Sequence, residues 1–208
     1  LAKAINKGMQ SNWGADENLL REKFKLLFSG EDAVQDLDNP ASIENQIRSL
    51  LLKKGGPAFV LEDEAAFLPV ETIISIVCEA GGIPCYPVLL DDKNGNYTGF
   101  EKDWDQMHQI LQDWNVNSVE LIPVRNSLVE LEKFVRFFRD RDYLVTFGTE
   151  HNATGLAPVT VKCRNNTELT DYLMKVNYSG ACAIAAHQYF NFYGEEGLVN
   201  EEGQFRTD

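Results

Sequence analysis

The sequence has few of the residues and none of the short motifs that mark common enzyme classes. Its 208 residues include four cysteines and three histidines, and no Cys-x-x-Cys pair occurs, so a structural zinc site is not expected. It also contains no phosphate-binding glycine loop, no serine-centred nucleophile elbow and no His-Glu-x-x-His. Any catalytic group must therefore be sought among residues outside these motifs.

Positive charge is also scarce. Nineteen Lys and Arg face 32 Asp and Glu, which gives a formal net charge of −13. Such a chain repels nucleic-acid phosphates and anionic membrane surfaces, so neither is expected as a partner. No apolar run approaches the roughly 20 residues of a membrane span. Widely separated cysteines suit a reducing compartment, which favours a cytoplasmic over a secreted location.

The hydrophobic pattern predicts three regions: a helical segment at 1–56, an α/β region at 57–194 and an acidic tail at 195–208. Within the second region, apolar runs alternate with amphipathic stretches, which predicts a mostly parallel sheet or a partial (β/α) barrel with extra N- and C-terminal helices. The predicted strands are 58–61, 83–90, 118–124 and 143–148.

Helix starts and ends are predicted from capping signals. Thr98-x-x-Glu101 and Ser127-x-x-Glu130 are capping boxes, and each predicts the start of a helix. Two further helices are predicted at 167–176 and 179–193.

Polar residues follow or interrupt the predicted strands. Glu150 and His151 come directly after the strand at 143–148, and this pair can bind a divalent metal or transfer protons. Because the carboxyl ends of parallel strands meet at one edge of a sheet, acidic residues at other strand ends are expected beside them. The predicted metal ligands are Glu150, His151, Asp91, Glu62 and Glu120, and the first two are also the predicted catalytic residues.

Arg125 and Asn126 follow the third predicted strand and are predicted to bind an anionic substrate. One histidine with several carboxylates suits Zn, Mn or Fe as the divalent metal. The competing interpretation is that acidic residues after strands cap helices or stay solvated.

Three segments together resemble the second half of a PHP-type metal-dependent phosphoesterase. They are Ala80-Gly81-Gly82-Ile83-Pro84, Ser118-Val119-Glu120-Leu121 and the run from Tyr143 to His151, and the resemblance covers about residues 57 to 155. It implies a distorted (β/α)7 barrel that binds up to three divalent metals and hydrolyses phosphate esters. The sequence starts at Leu1 without an initiator Met and in the middle of a helical pattern, so we expect the chain to be part of a longer protein. The His-x-His of the family's first strand does not occur in this sequence, and in a longer protein it would lie upstream of Leu1.

Three functions are therefore considered. The first is a metal-dependent hydrolase of a small anionic substrate, and the expected substrate is a phosphate ester. The second is a non-catalytic α/β module, or degenerate barrel half, that binds another copy or the remainder of a longer chain. The third is a metal-dependent sugar isomerase or lyase, which would use the same types of ligand.

Overall fold

The computed structural model describes residues 1–34, 36–92, 94–149, 151, 158–200 and 203–206. The chain forms two compact units. The first comprises Leu1–Phe67 and His151–Ala157, and the second comprises Leu68–Glu150 and Pro158–Asp208. No helix in the described ranges has both the length and the apolar character needed to cross a membrane.

The first unit is helical. Its helices are α1 (Ala2–Trp13), α2 (Glu17–Leu27) and α3 (Pro40–Ile47), and α3 continues into a π-helical turn at Arg48–Leu52. The Asp16 carboxylate caps α2, and the Asn39 side chain caps α3 immediately before Pro40. Their apolar faces enclose a core that is separate from that of the second unit.

The predicted strand at 58–61 is wrong, because these residues form no strand in the structure. Hydrogen bonds from Ala58 N to Leu51 O and from Phe59 N to Gly56 O close turns there instead. Val60 and Leu61 then lie in solvent, with exposures of 74% and 81%. A short apolar run forms a strand only where a neighbouring strand pairs with it, and the run itself carries no information on that neighbour.

The second unit contains the sheet, and its α/β class and parallel arrangement confirm the prediction. The strands are β1 (Tyr86–Val88), β2 (Ser118–Leu121) and β3 (Leu144–Phe147), in the order β1-β2-β3. Both pairs are parallel, and Glu120 of β2 aligns with Pro87 and Thr146. The sheet is small and open, with three strands in the described part of the chain.

Four helices accompany the sheet: α4 (Val70–Glu79), α5 (Trp104–Asp113), α6 (Leu128–Arg139) and α7 (Asp171–Phe192). Side chains alternate between the two faces of a strand. Val119 and Leu121 of β2 share one face with Val145 of β3, and this face is buried in a core with residues of α5 and α6. The opposite face carries Glu120.

Two helix predictions differ from the structure. α5 begins at Trp104 with Asp103 as its N-cap, not at the predicted capping box, because the Glu101 carboxylate is used elsewhere. The helices predicted at 167–176 and 179–193 form the single helix α7. The interruption predicted at 177–178 is absent from this helix, and Gly180 lies where α7 approaches the backbone of β3.

Candidate functional site

Glu120 occupies an unusual position in the sheet. It lies in the central strand of a parallel sheet, where both faces are normally covered, yet its side chain is exposed. Within the described part of the chain, its carboxylate makes no hydrogen bond and no ion pair. The charge of Glu120 is therefore not neutralised by any of these residues.

Gly148 makes room for the Glu120 carboxylate. Gly148 N donates to Leu121 O at 2.9 Å, which extends the pairing of β3 with β2 by one residue. A Cβ atom at position 148 would overlap Oε1 of Glu120. The Glu120 carboxylate thus lies against the backbone of Gly148, two residues before the predicted ligand Glu150.

The other predicted ligands are distributed over both units. Glu150 lies outside the described residues. His151 and Glu62 are exposed and belong to the first unit, whereas Asp91 and Glu120 belong to the second. The convergence of all five residues on one edge of the sheet stays a prediction.

Cys85 and Ser118 lie near Glu120. Ser118 Oγ donates to Pro84 O at 2.6 Å. Desolvation by the surrounding protein raises the pKa of the Cys85 thiol to about 11, a hydrogen bond with Ser118 opposes this rise, and the Glu120 charge adds to it. The residue is accessible to solvent, but its thiol stays protonated at neutral pH and is a poor nucleophile.

We expect Cys85 to report on the charge of Glu120. With a pKa of about 11, only about one Cys85 thiol in a thousand is ionised at pH 8. The alkylation rate with iodoacetamide, followed by mass spectrometry, should therefore keep rising up to about pH 11. In a Glu120→Gln variant the midpoint should move to lower pH, since the nearby negative charge that disfavours the thiolate is gone. An unchanged midpoint would show that Glu120 does not act on this thiol.

A pocket of about 650 Å³ lies beyond the carboxyl ends of β1 and β2. It is lined by Leu89–Asp92, Asn96–Thr98, Val124, Arg125, Arg164 and Asn165. Arg125 is exposed there. In parallel α/β sheets this edge is the usual place for a ligand.

Asp91, one of the predicted metal ligands, forms a buried ion pair at this pocket. Its side chain is 3% exposed, and its Oδ2 lies 3.1 Å from Nη1 of Arg164. Ser127 N donates to both carboxylate oxygens, at 3.3 and 3.2 Å. Asp91 therefore stabilises the start of α6 and has its charge neutralised by Arg164.

Arg164 is not among the site residues predicted from the sequence, although its side chain contacts the segments that follow two strands. Besides the ion pair, its Nη2 donates to Asp91 O at 2.7 Å and its Nε donates to Arg125 O at 2.9 Å. The only signal in the sequence is the Asn165-Asn166 pair beside it, which suits a tight turn, and both have positive φ. Nothing in that pattern indicates which carboxylate the arginine contacts.

Asn126 stabilises the backbone beneath the pocket through hydrogen bonds. It is fully buried, and its Nδ2 donates to Leu89 O at 2.8 Å and to Asp91 O at 3.3 Å. Its Oδ1 has no hydrogen-bond partner within the described part of the chain. These contacts hold the end of β1 against the end of β2.

The turn after β1 is held in an uncommon backbone conformation. Leu90 has a φ of +57° although its side chain is 1% exposed. The buried carboxylate of Glu101 accepts hydrogen bonds from Leu89 N and Leu90 N, both at 2.9 Å. Glu101 thus supplies the acceptors that a neighbouring strand would otherwise provide.

The described residues alone do not fit a complete divalent-metal site. They include no group of three or more His, Cys, Asp or Glu side chains placed to hold a metal ion. Asp91 is already paired with Arg164, and Glu120 supplies only one carboxylate. The groups among the described residues that can act on a substrate are therefore the Glu120 carboxylate and the residues that line the pocket.

Comparison of the chain with models of protein families, with curated proteins and with solved structures found no match.

Proposed function

We propose that the chain is a metal-dependent hydrolase that acts on a small anionic substrate, and that Glu120 is the carboxylate on which its activity depends. The main support is the exposed position of Glu120 in the central strand of a parallel sheet, without a partner among the described residues. A carboxylate that no cation neutralises can accept a proton from an attacking water molecule. The PHP-like segments favour a phosphate ester as the substrate class.

The pocket supports a small substrate. Its volume of about 650 Å³ lies within the range of typical small-molecule sites. The exposed Arg125 provides a cation for an anionic group, and Arg164 holds the backbone of Arg125 in place. In this proposal Arg125 orients the anion, and Glu120, the next-to-last residue of β2, accepts the proton from water.

The proposed hydrolase uses a divalent metal, Zn, Mn or Fe, as the sequence predicts. Its ligands would have to include Glu150 and His151, which the sequence places after β3. If such a metal is bound, it supplies charge neutralisation for the substrate anion.

Glu120→Gln should lower hydrolysis of a small aromatic phosphate ester at least about 100-fold, because an amide cannot accept the proton. The assay uses the purified chain with Zn, Mn or Fe(II) added separately. The melting temperature should stay nearly unchanged, since the described residues offer Glu120 no hydrogen bond to lose.

Glu22→Gln is the matched control, because Glu22 is an exposed glutamate on α2 of the first unit. It should leave activity unchanged. Wild-type chain that hydrolyses no phosphate ester with any of these metals, or a Glu120→Gln variant within about twofold of wild type, would contradict the proposal.

The alternative is a non-catalytic module that binds an anion in the same pocket. The observation in its favour is that Asp91 is neutralised by Arg164 and caps α6, so it serves the fold. In that case Arg125→Ala would weaken binding of inorganic phosphate in calorimetry, while the Glu120→Gln variant would bind phosphate as wild type does.

A further inference from the structure

Helix α7 is apolar on two opposite sides. One side packs in the second unit through the buried residues Leu173, Val176, Gly180 and His187. The opposite side carries large apolar residues in solvent, and among these Tyr178 is 73% and Phe192 is 82% exposed. A helix that is apolar all round is normally covered on all sides.

We call the exposed side the α7 stripe. Its members are Met174, Tyr178, Ala181, Cys182, Ala185, Tyr189, Phe192 and Tyr193, all exposed. The stripe runs from Met174 to Tyr193, which corresponds to about 28 Å along a helix. No Asp, Glu, Lys or Arg occurs between Val176 and Gly194, although the chain as a whole is strongly acidic.

The α7 stripe is large enough for a stable interface. Aromatic side chains can each bury about 150–250 Å², and Tyr178, Tyr189, Phe192 and Tyr193 are 60–82% exposed. With Met174 and the small residues, the stripe offers on the order of 800 Å², which equals one partner's share of a standard interface. The largest apolar patch on an ordinary monomer is about 300–600 Å².

We propose that a second copy of this chain covers the α7 stripe, with the two α7 helices antiparallel about a two-fold axis. The order of side-chain sizes supports this arrangement. Small residues, Ala181 to Ala185, lie in the middle, and aromatic residues lie on either side of them. In an antiparallel pair Tyr178 of one copy meets Tyr189 of the other, and the small residues allow the helices to approach closely.

Charge also favours this occupant. Each copy carries a net charge of −13, so two copies repel wherever their acidic surfaces meet. Between Val176 and Gly194 the chain carries no Asp, Glu, Lys or Arg, so two copies that pair through the central part of the α7 stripe place no like charges opposite each other there. This inference does not depend on a catalytic role for Glu120.

The first test is sedimentation equilibrium of the whole chain over a range of concentrations. Wild type should form a dimer, and a Tyr178→Lys, Phe192→Lys double variant should raise the dissociation constant at least about 100-fold. Lysine is chosen because it lowers the net negative charge, so a weaker dimer cannot result from a higher overall charge on each copy. Val129→Lys is the matched control, because Val129 is 61% exposed on α6.

The second test uses Cys182, which is free and exposed in the middle of the α7 stripe. In a Cys85→Ser background, a short bismaleimide should link two copies through Cys182, and Cys182→Ser should abolish the link. A chain that stays monomeric at all concentrations would overturn the proposal. Slow alkylation of Cys182 in such a monomer would show that another part of the same chain covers the stripe. The proposal would also be overturned if the double variant dimerised as tightly as wild type.

Discussion

Replacing Arg164 by methionine is expected to lower the free energy of unfolding of the second unit by about 3–5 kcal/mol. Methionine keeps much of the side-chain volume but removes the cation beside Asp91, whose side chain is 3% exposed. An ionised carboxylate would then stay buried with only the Ser127 N–H as a described partner. Hydrogen bonds to Asp91 O and Arg125 O would be lost at the same time.

Urea unfolding followed by circular dichroism measures this loss, and hydrogen exchange assigns it to the second unit. Adding Asp91→Asn to Arg164→Met should recover part of the stability, because no buried charge is then left unpaired. Arg136→Met is the matched control: its ion pair with Glu132 is 53% exposed on the arginine side and should cost under about 1 kcal/mol. Equal losses for the two arginines would contradict the structural role assigned to Arg164.

Gly180→Leu is expected to destabilise the second unit by about 3 kcal/mol. A Cβ atom at this position would overlap the carbonyl oxygen of Val145 and would lie 3.2 Å from Cγ2 of Thr146. Helix α7 would have to move away from β3, which breaks the close packing on that side of the sheet. The higher helix propensity of leucine recovers only about 1 kcal/mol.

Gly8→Leu provides the control, because Gly8 also lies inside a helix, α1, but has no atom within 4 Å of its Cβ position. The same change there should be neutral or should stabilise the first unit by up to about 1 kcal/mol. Hydrogen exchange, which follows the unfolding of each unit separately, measures the change in the free energy of unfolding for both variants. A stability gain at position 180 would contradict the packing of α7 on β3.

The elements that the sequence predicted best are those set by local pattern. The alternation of strands and helices gave a parallel sheet, and Ser127 caps α6 as its capping box predicts, with Glu130 N donating to Ser127 Oγ. The first strand failed because pairing depends on a distant partner. The box at Thr98 formed only in part. Glu101 N donates to Thr98 Oγ1, but the Glu101 carboxylate accepts hydrogen bonds from Leu89 N and Leu90 N, a non-local contact, and the helix begins at Trp104 instead.

The site was harder to predict than the fold. The pair of Asp91 and Arg164 joins residues 73 positions apart, and no local pattern relates them. For Glu120 the sequence shows a carboxylate within an apolar strand but not which face of the sheet is covered. The structure shows that the Asp91 carboxylate is paired with Arg164 and stabilises the fold. It also shows that the Glu120 carboxylate is exposed and has no partner among the described residues.

The turn at Leu90 restricts how this pocket can change in evolution. Its backbone conformation costs a non-glycine residue about 1–2 kcal/mol, so local geometry selects for glycine or asparagine. The buried side chain, 1% exposed, selects for a large apolar residue instead. No single substitution satisfies both demands, because glycine would leave a cavity and asparagine would bury an amide. Adaptation to new ligands is therefore directed to the exposed lining residues Asp92, Asn96 and Arg125, while Leu90 stays unchanged beneath them.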